Sequence, residues 1–249
     1  MELAGFVNSH DPELRDNFGH EILANWIHRS GKFTTRELDA LRGAFLPFVL
    51  AGMGELETDT VFSHSFALLN LKELAVADLN TPFLTEATFD ELFESAVNAF
   101  AAEKDTRGYV MGKGWAHATA HGADLLRMLA LNNKLHVPQQ SRLITAIANR
   151  ARSAGSVFLW GEDARMSAAL DSVASRADVD ITEFDNWFAA LRAENRQLWR
   201  NAFAPFAYVR VRAQVNTLAQ FAALVARQNT PTFAAKLRET LHATLSAVN

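Results

Sequence analysis

The stretch Asp11-Pro12-Glu13-Leu14-Arg15-Asp16-Asn17-Phe18-Gly19-His20-Glu21-Ile22-Leu23-Ala24-Asn25-Trp26 decides the fold class. The aspartate supplies an acceptor for the first orphan amides, and the proline ring already holds a helical φ, so a helix starts here. Leu14, Phe18, Ile22 and Trp26 then recur at four-residue spacing, which predicts one apolar stripe ending before Gly31. Spacing of three and four residues continues along nearly the whole chain. Alternating β-branched runs flanked by hairpin signals are absent, so the fold class is all-α.

Working outward, Thr34 with Glu37 and Thr88 with Glu91 have the spacing of capping boxes, which predicts helix starts near 35 and 89. The full pattern gives about ten helices, roughly 11–30, 35–51, 59–77, 86–102, 114–131, 139–154, 162–176, 183–203, 206–228 and 232–247. They fall into antiparallel pairs whose first members recur every 44 to 55 residues or so, the length range of helical-pair solenoids. A globular bundle is the alternative, because short connections favour antiparallel neighbours in both. No Gly/Ser-rich or Pro-rich linker interrupts the pattern, so residues 1–249 are expected to form a single helical-repeat domain.

The chain has 249 residues, 49% of them hydrophobic and 21% charged, enough to bury a sizeable core. A formal net charge of −4 argues against nucleic acid as a partner, since phosphate contacts need a concentrated basic surface. With no cysteine, disulfides, thiolate zinc sites and a cysteine nucleophile are all excluded. The first residues lack the basic and apolar regions of a secretory signal, and apolar runs such as 44–53 are too short to span a bilayer. A cytoplasmic protein with no membrane partner is the expectation.

Chemistry concentrates between Glu103 and Asp124, where Arg107, Lys113, Trp115, His117, His121 and Asp124 crowd together. On a helix running 114–131, His117, His121 and Asp124 would share one face and could converge on a divalent metal. They could equally be hydrogen-bonded pocket residues, or histidines packed against a neighbouring helix. A metalloprotease is excluded because Ala118 stands where a glutamate base must follow the first histidine. Gly112-Lys113-Gly114 would precede that helix, where unpaired amides favour an anion, with Arg107 as a fork and Lys113 as a point charge. The alternative is that the glycines only make a turn while Asp105 pairs Arg107 locally. Trp115 either stacks on a planar ligand or anchors the core. Glu162 and Asp163 begin another helix; they are dipole partners, or they supply a general base or further ligand. No nucleophile elbow is present, so a serine hydrolase is a poor reading. Arg15 with Asp16, and Asp59 with His64, are further polar clusters on first-of-pair helices; Arg210 and Arg212 flank Val211 as an isolated hint.

The runs Glu103-Lys104-Asp105, Arg107-Gly108, Gly112-Lys113-Gly114-Trp115-Ala116-His117 and His121-Gly122-Ala123-Asp124 resemble the signature of a bacterial domain-of-unknown-function family, number twenty-seven eighty-five. Asp11 to Asp16, Asp59 with Val61-Phe62 and Ser65-Phe66, and Gly161-Glu162-Asp163 with Arg165 extend the resemblance over residues 8 to 175 or so. In the family pattern an arginine often stands where this chain has His64. The resemblance implies a HEAT-like α–α superhelix and a site location, but no reaction. Two functions follow for the site. One is a binding protein taking a small anionic ligand or peptide in a polar concave pocket, using Arg107, Lys113, Trp115, His117, His121 and Asp124. The other is a metal-dependent hydrolase with His117, His121 and Asp124 as ligands and Glu162 or Asp163 as base.

Overall fold

The computed structural model describes residues 2–29, 32–227 and 233–248. Side-chain caps set the starts of some of the helices. Asp11 Oδ1 accepts the Glu13 N–H at 2.9 Å, and Thr34 and Glu37 close a reciprocal capping box. The second box is shifted: Thr85 caps with Thr88 as its partner, so that helix begins at Glu86 and Thr88 lies inside it. A hydroxyl at the third helical position accepts the N-cap N–H as the expected glutamate would, and the two possible registers differ by three residues.

In order, the elements are α1 (Glu2–Gly5) and a 3₁₀ turn (Phe6–Asn8), then a π-helical stretch (Glu13–Ile22) continuing into α2 (Leu23–His28). Next come α3 (Thr35–Val49), α4 (Thr60–Asn80), α5 (Glu86–Ala102), the strands β1 (Tyr109–Val110) and β2 (Gly114–Trp115), and α6 (Ala118–Leu131). Finally there are α7 (Val137–Arg152), α8 (Glu162–Ala174), α9 (Thr182–Arg200), α10 (Pro205–Val225) and α11 (Phe233–Val248). The expected ends at 30, 228 and 232 lie outside the described residues. No helix among the described residues is long and apolar enough to cross a membrane.

Two compact units divide the chain, Met1–Lys134 and Leu135–Asn249. In the first, α4 is the axis. It is buried on nearly every side, with Ser63, His64, Ser65, Asn70, Glu73 and Asp78 buried among its apolar residues, and it packs against α2, α3 and α6. Phe45 of α3, Phe89, Phe93 and Phe100 of α5, and Leu125, Leu126 and Leu129 of α6 complete the core. Each buried phenylalanine contributes roughly 1.5–3 kcal/mol. Gly122 brings α6 close to α5: a Cβ there would lie 2.8 Å from a Phe100 ring carbon. In the second unit α8 packs on α10, while α7 and α11 pack on α9. The Phe184 and Phe221 rings stack at 5.4 Å between those layers.

The N-terminal helix departs from its predicted stripe. Arg15, Gly19, Leu23 and Ile27 face inward, whereas Phe18 and Trp26 are 37% and 40% exposed. The reason is steric and polar together. A Cβ on Gly19 would come within 3.1 Å of the Phe6 and Val7 backbone, and Asn70 donates to the Gly19 carbonyl at 3.1 Å. Gly19 is thus the contact point, and its neighbours one turn away turn inward with it.

Candidate functional site

Between Glu103 and His117 the chain turns on itself through successive side-chain acceptors. Glu103 Oε1 accepts the Asp105 N–H at 2.6 Å, and Asp105 Oδ1 accepts the Arg107 N–H at 2.8 Å. Glu103 Oε2 lies 2.6 Å from Nε2 of His64, whose Nδ1 lies 3.1 Å from the Ala51 carbonyl, so the segment is tied to α4 from within the core. Arg107 grips both Asp105 oxygens and donates to the Thr58 carbonyl at 2.6 Å. Burial would raise the Asp105 carboxyl, but the Arg107 hydrogen bonds outweigh it and hold the group below its ordinary value. The local Asp105–Arg107 pair weighed from the sequence is present, and it occupies the fork expected to take an anion.

Residues 109–115 form a hairpin, with Tyr109 opposite Trp115, Val110 opposite Gly114, and the turn closed by the Lys113 N–H on the Val110 carbonyl at 3.0 Å. Gly112 and Gly114 adopt φ of +75° and +84°, which glycine alone reaches without steric cost. The ladder continues through Ala116 to Gly108 and His117 to Arg107, so residues 114–117 belong to the ladder and α6 starts at Ala118. The expected helix start at 114 is therefore corrected. Two-residue strands are too short to leave an alternating pattern, and His117 itself sits at φ 51° outside the helix.

Arg15 fixes this hairpin from below. Fully buried, it donates to the Lys113 carbonyl at 2.6 Å, lies 2.9 Å from Asp16, and stands over the Phe62 and Phe66 rings. A Cβ on Gly114 would meet the Arg15 guanidinium at 2.9 Å. Gly114→Ala is expected to destabilise the chain by about 2 kcal/mol through the left-handed backbone and this clash, measured by urea denaturation. A change under half that size would show that the hairpin does not rest on Arg15.

At the hairpin turn lies a polar pocket of about 260 Å³, lined by Asn8, His10, Asp59, Phe62, Ser63 and Lys113 among others. Lys113 Nζ donates to both Asp59 oxygens at 2.7 and 2.8 Å and holds that carboxyl below its ordinary value. Both are substantially exposed, at 49% and 33% for their side chains, so the pair is screened and readily rearranged. His10 Nδ1 stands 4.0 Å from Asp59, and the Ser63 hydroxyl donates to Asn8 Oδ1.

The histidines form a separate feature. Rings follow one another from Tyr109 to Trp115, His117, His121 and Phe66 at 5.0 to 5.6 Å. The Ser65 hydroxyl, fully buried, donates to the Ala116 carbonyl and lies 2.8 Å from His121 Nδ1. That hydroxyl can therefore accept from the ring while giving up its own hydrogen. His121 and Asp124 are each only 9% exposed. Among the described residues, no group of three His, Asp or Glu side chains is placed to hold a metal ion. With His117 off the helix, the one-face argument for His117, His121 and Asp124 does not apply. Glu162, buried at the start of α8 in the second unit, accepts the Trp160 N–H, and Asp163 accepts the Ala164 N–H.

The family described as "Protein of unknown function (DUF2785)" matches residues 49–224. The chain belongs to this family. No curated protein and no solved structure gives a match to it. Within this DUF2785 member the matched region contains Asp59, Ser63, Arg107, Lys113 and the whole hairpin. Asn8, Ser9 and His10, which complete the pocket, lie before it and carry no motif by which sequence alone could have marked them. Arg15 and Asp59 stood out as polar residues on helical faces, but their partners lie 98 and 54 positions away.

Proposed function

We propose that this protein is a binding module for a small polar ligand carrying both an acidic group and a cationic one, such as an amino acid or short peptide. The observation that carries the reading is the exposed Lys113–Asp59 pair at the mouth of a pocket whose turn is held by buried Arg15. The two charges nearly cancel, so a simple anion gains little. A ligand with both signs can replace each partner of the pair with its own group, which keeps every charge compensated. Asn8, Ser63 and His10 would then read its polar body. Arg107 serves as internal support, and the Trp115, His117 and His121 rings follow one another from the hairpin into the start of α6. We further infer that the helical layers continue as a HEAT-like superhelix making residues 1–249 one domain. Layered packing within each unit supports that reading.

Thermal-shift and calorimetric titration with free amino acids and dipeptides tests the ligand class. Lys113→Ala is expected to weaken the strongest binder at least ten-fold, the worth of one charge-assisted hydrogen bond. Asp59→Asn should weaken it similarly. Binding unchanged in both variants would refute the site.

A further inference from the structure

The second unit holds a pocket of about 310 Å³ where the ends of α7 and α9 meet the start of α10. Three charges line it, Arg152, Glu194 and Arg210, beside the amides Gln197 and Asn201 and the apolar Leu198 and Val211. Both oxygens of Glu194 are engaged. Its Oε1 lies 2.8 Å from Arg152 Nε, and its Oε2 accepts from Gln214 Nε2 at 2.8 Å. Gln214 is itself buried and held by the Trp187 indole N–H at 2.9 Å, so the carboxylate is fixed toward Arg152 from behind. Arg210 makes no ion pair among the described residues. The pocket therefore carries one uncompensated positive charge next to amide donors and an apolar wall.

We propose that this pocket binds the carboxylate of an apolar monoanion, with Arg210 as its bidentate partner, Gln197 and Asn201 as further donors, and Leu198 and Val211 against its hydrocarbon body. Two sources share that chemistry: a free small carboxylic acid and the C-terminus of a peptide ending in an apolar residue. Phe203 and Phe206, 62% and 75% exposed on the segment that also lines the pocket, give a longer chain apolar surface to run across.

The probes are N-acetyl-leucine, N-acetyl-leucinamide and a hexapeptide ending in a free leucine carboxylate, each titrated by calorimetry into the full chain. Acetylation removes the ammonium that the hairpin pocket requires, so failure here and failure there are distinguishable. The acid is expected to bind and the amide to bind at least ten-fold more weakly. Arg210→Gln should abolish the preference for the acid, while Lys113→Ala leaves it unchanged. Hexapeptide binding ten-fold tighter than the acid, and lost in Phe203→Ser with Phe206→Ser, identifies a chain terminus; equal affinities identify the free acid. Equal binding of acid and amide, or an Arg210→Gln variant that still prefers the acid, would overturn the proposal.

Discussion

Replacing Arg15 with methionine is expected to lower stability by about 3 kcal/mol, the low end for a broken buried ion pair because Asp16 keeps 28% of its side chain exposed. Methionine refills the volume between Phe62 and Phe66 and isolates the polar loss. What remains is the Lys113 carbonyl without its donor and Asp16 without its cation. Burial works against both charges, pulling the Arg15 guanidinium down and pushing the Asp16 carboxyl up, each only partly offset by the other. The pair is therefore a device for holding the hairpin, and its removal costs more than its presence contributes. Urea denaturation followed by tryptophan fluorescence measures the loss. If residues 1–249 form one domain, Trp115 in the first unit and Trp187 in the second report one shared transition, shifted together. Two separate transitions would contradict the one-domain reading, and a loss below 1 kcal/mol would contradict the role given to Arg15.

Asp105→Ala should cost about as much, roughly 3–5 kcal/mol, because it leaves the Arg107 guanidinium without its carboxylate and the Glu57 N–H without its acceptor. The wild-type protein also has an acid limit with a definite sign. Asp105 and Asp78 both have folded values below the ordinary one. In each, burial alone would raise the value; Arg107 overcomes it for Asp105, and the Leu84 and Phe83 amides overcome it for Asp78. The unfolded chain thus binds more protons at low pH. The stability these groups contribute is complete above the unfolded carboxyl value, about pH 4, and is lost as pH falls through the folded values. Asp105→Asn should be less stable than wild type at pH 7, and the difference should shrink as pH falls below about 4 and through the folded Asp105 value. An undiminished difference at low pH would show that the carboxylate charge is not what holds Arg107.

The helix frame was legible because its causes are local. The Thr34–Glu37 box and the apolar spacings of α4, α5 and α9 act within a few residues, so their reading survives any tertiary arrangement. The N-terminal stripe was displaced by one residue because Arg15 and Gly19 take core positions, and no periodicity argument seats an arginine in a core. The α6 start was set four residues early because β1 and β2 compete for Gly114 and Trp115, and that competition depends on Arg15 nearly a hundred residues away. Arg107 and Lys113 were singled out as charged residues of one loop. That carboxylates of the chain already engage both depends, for Lys113, on Asp59 arriving from the N-terminal end of α4, a pairing that spacing cannot encode.

The most direct test of the account is an amide NMR titration of the full chain with the amino acid that gives the largest thermal shift. The prediction is that shift changes centre on Asn8, Ser63, Gly112 and Lys113 and vanish in Lys113→Ala. Changes centred elsewhere, or the same changes in the variant, would contradict a ligand site at the hairpin.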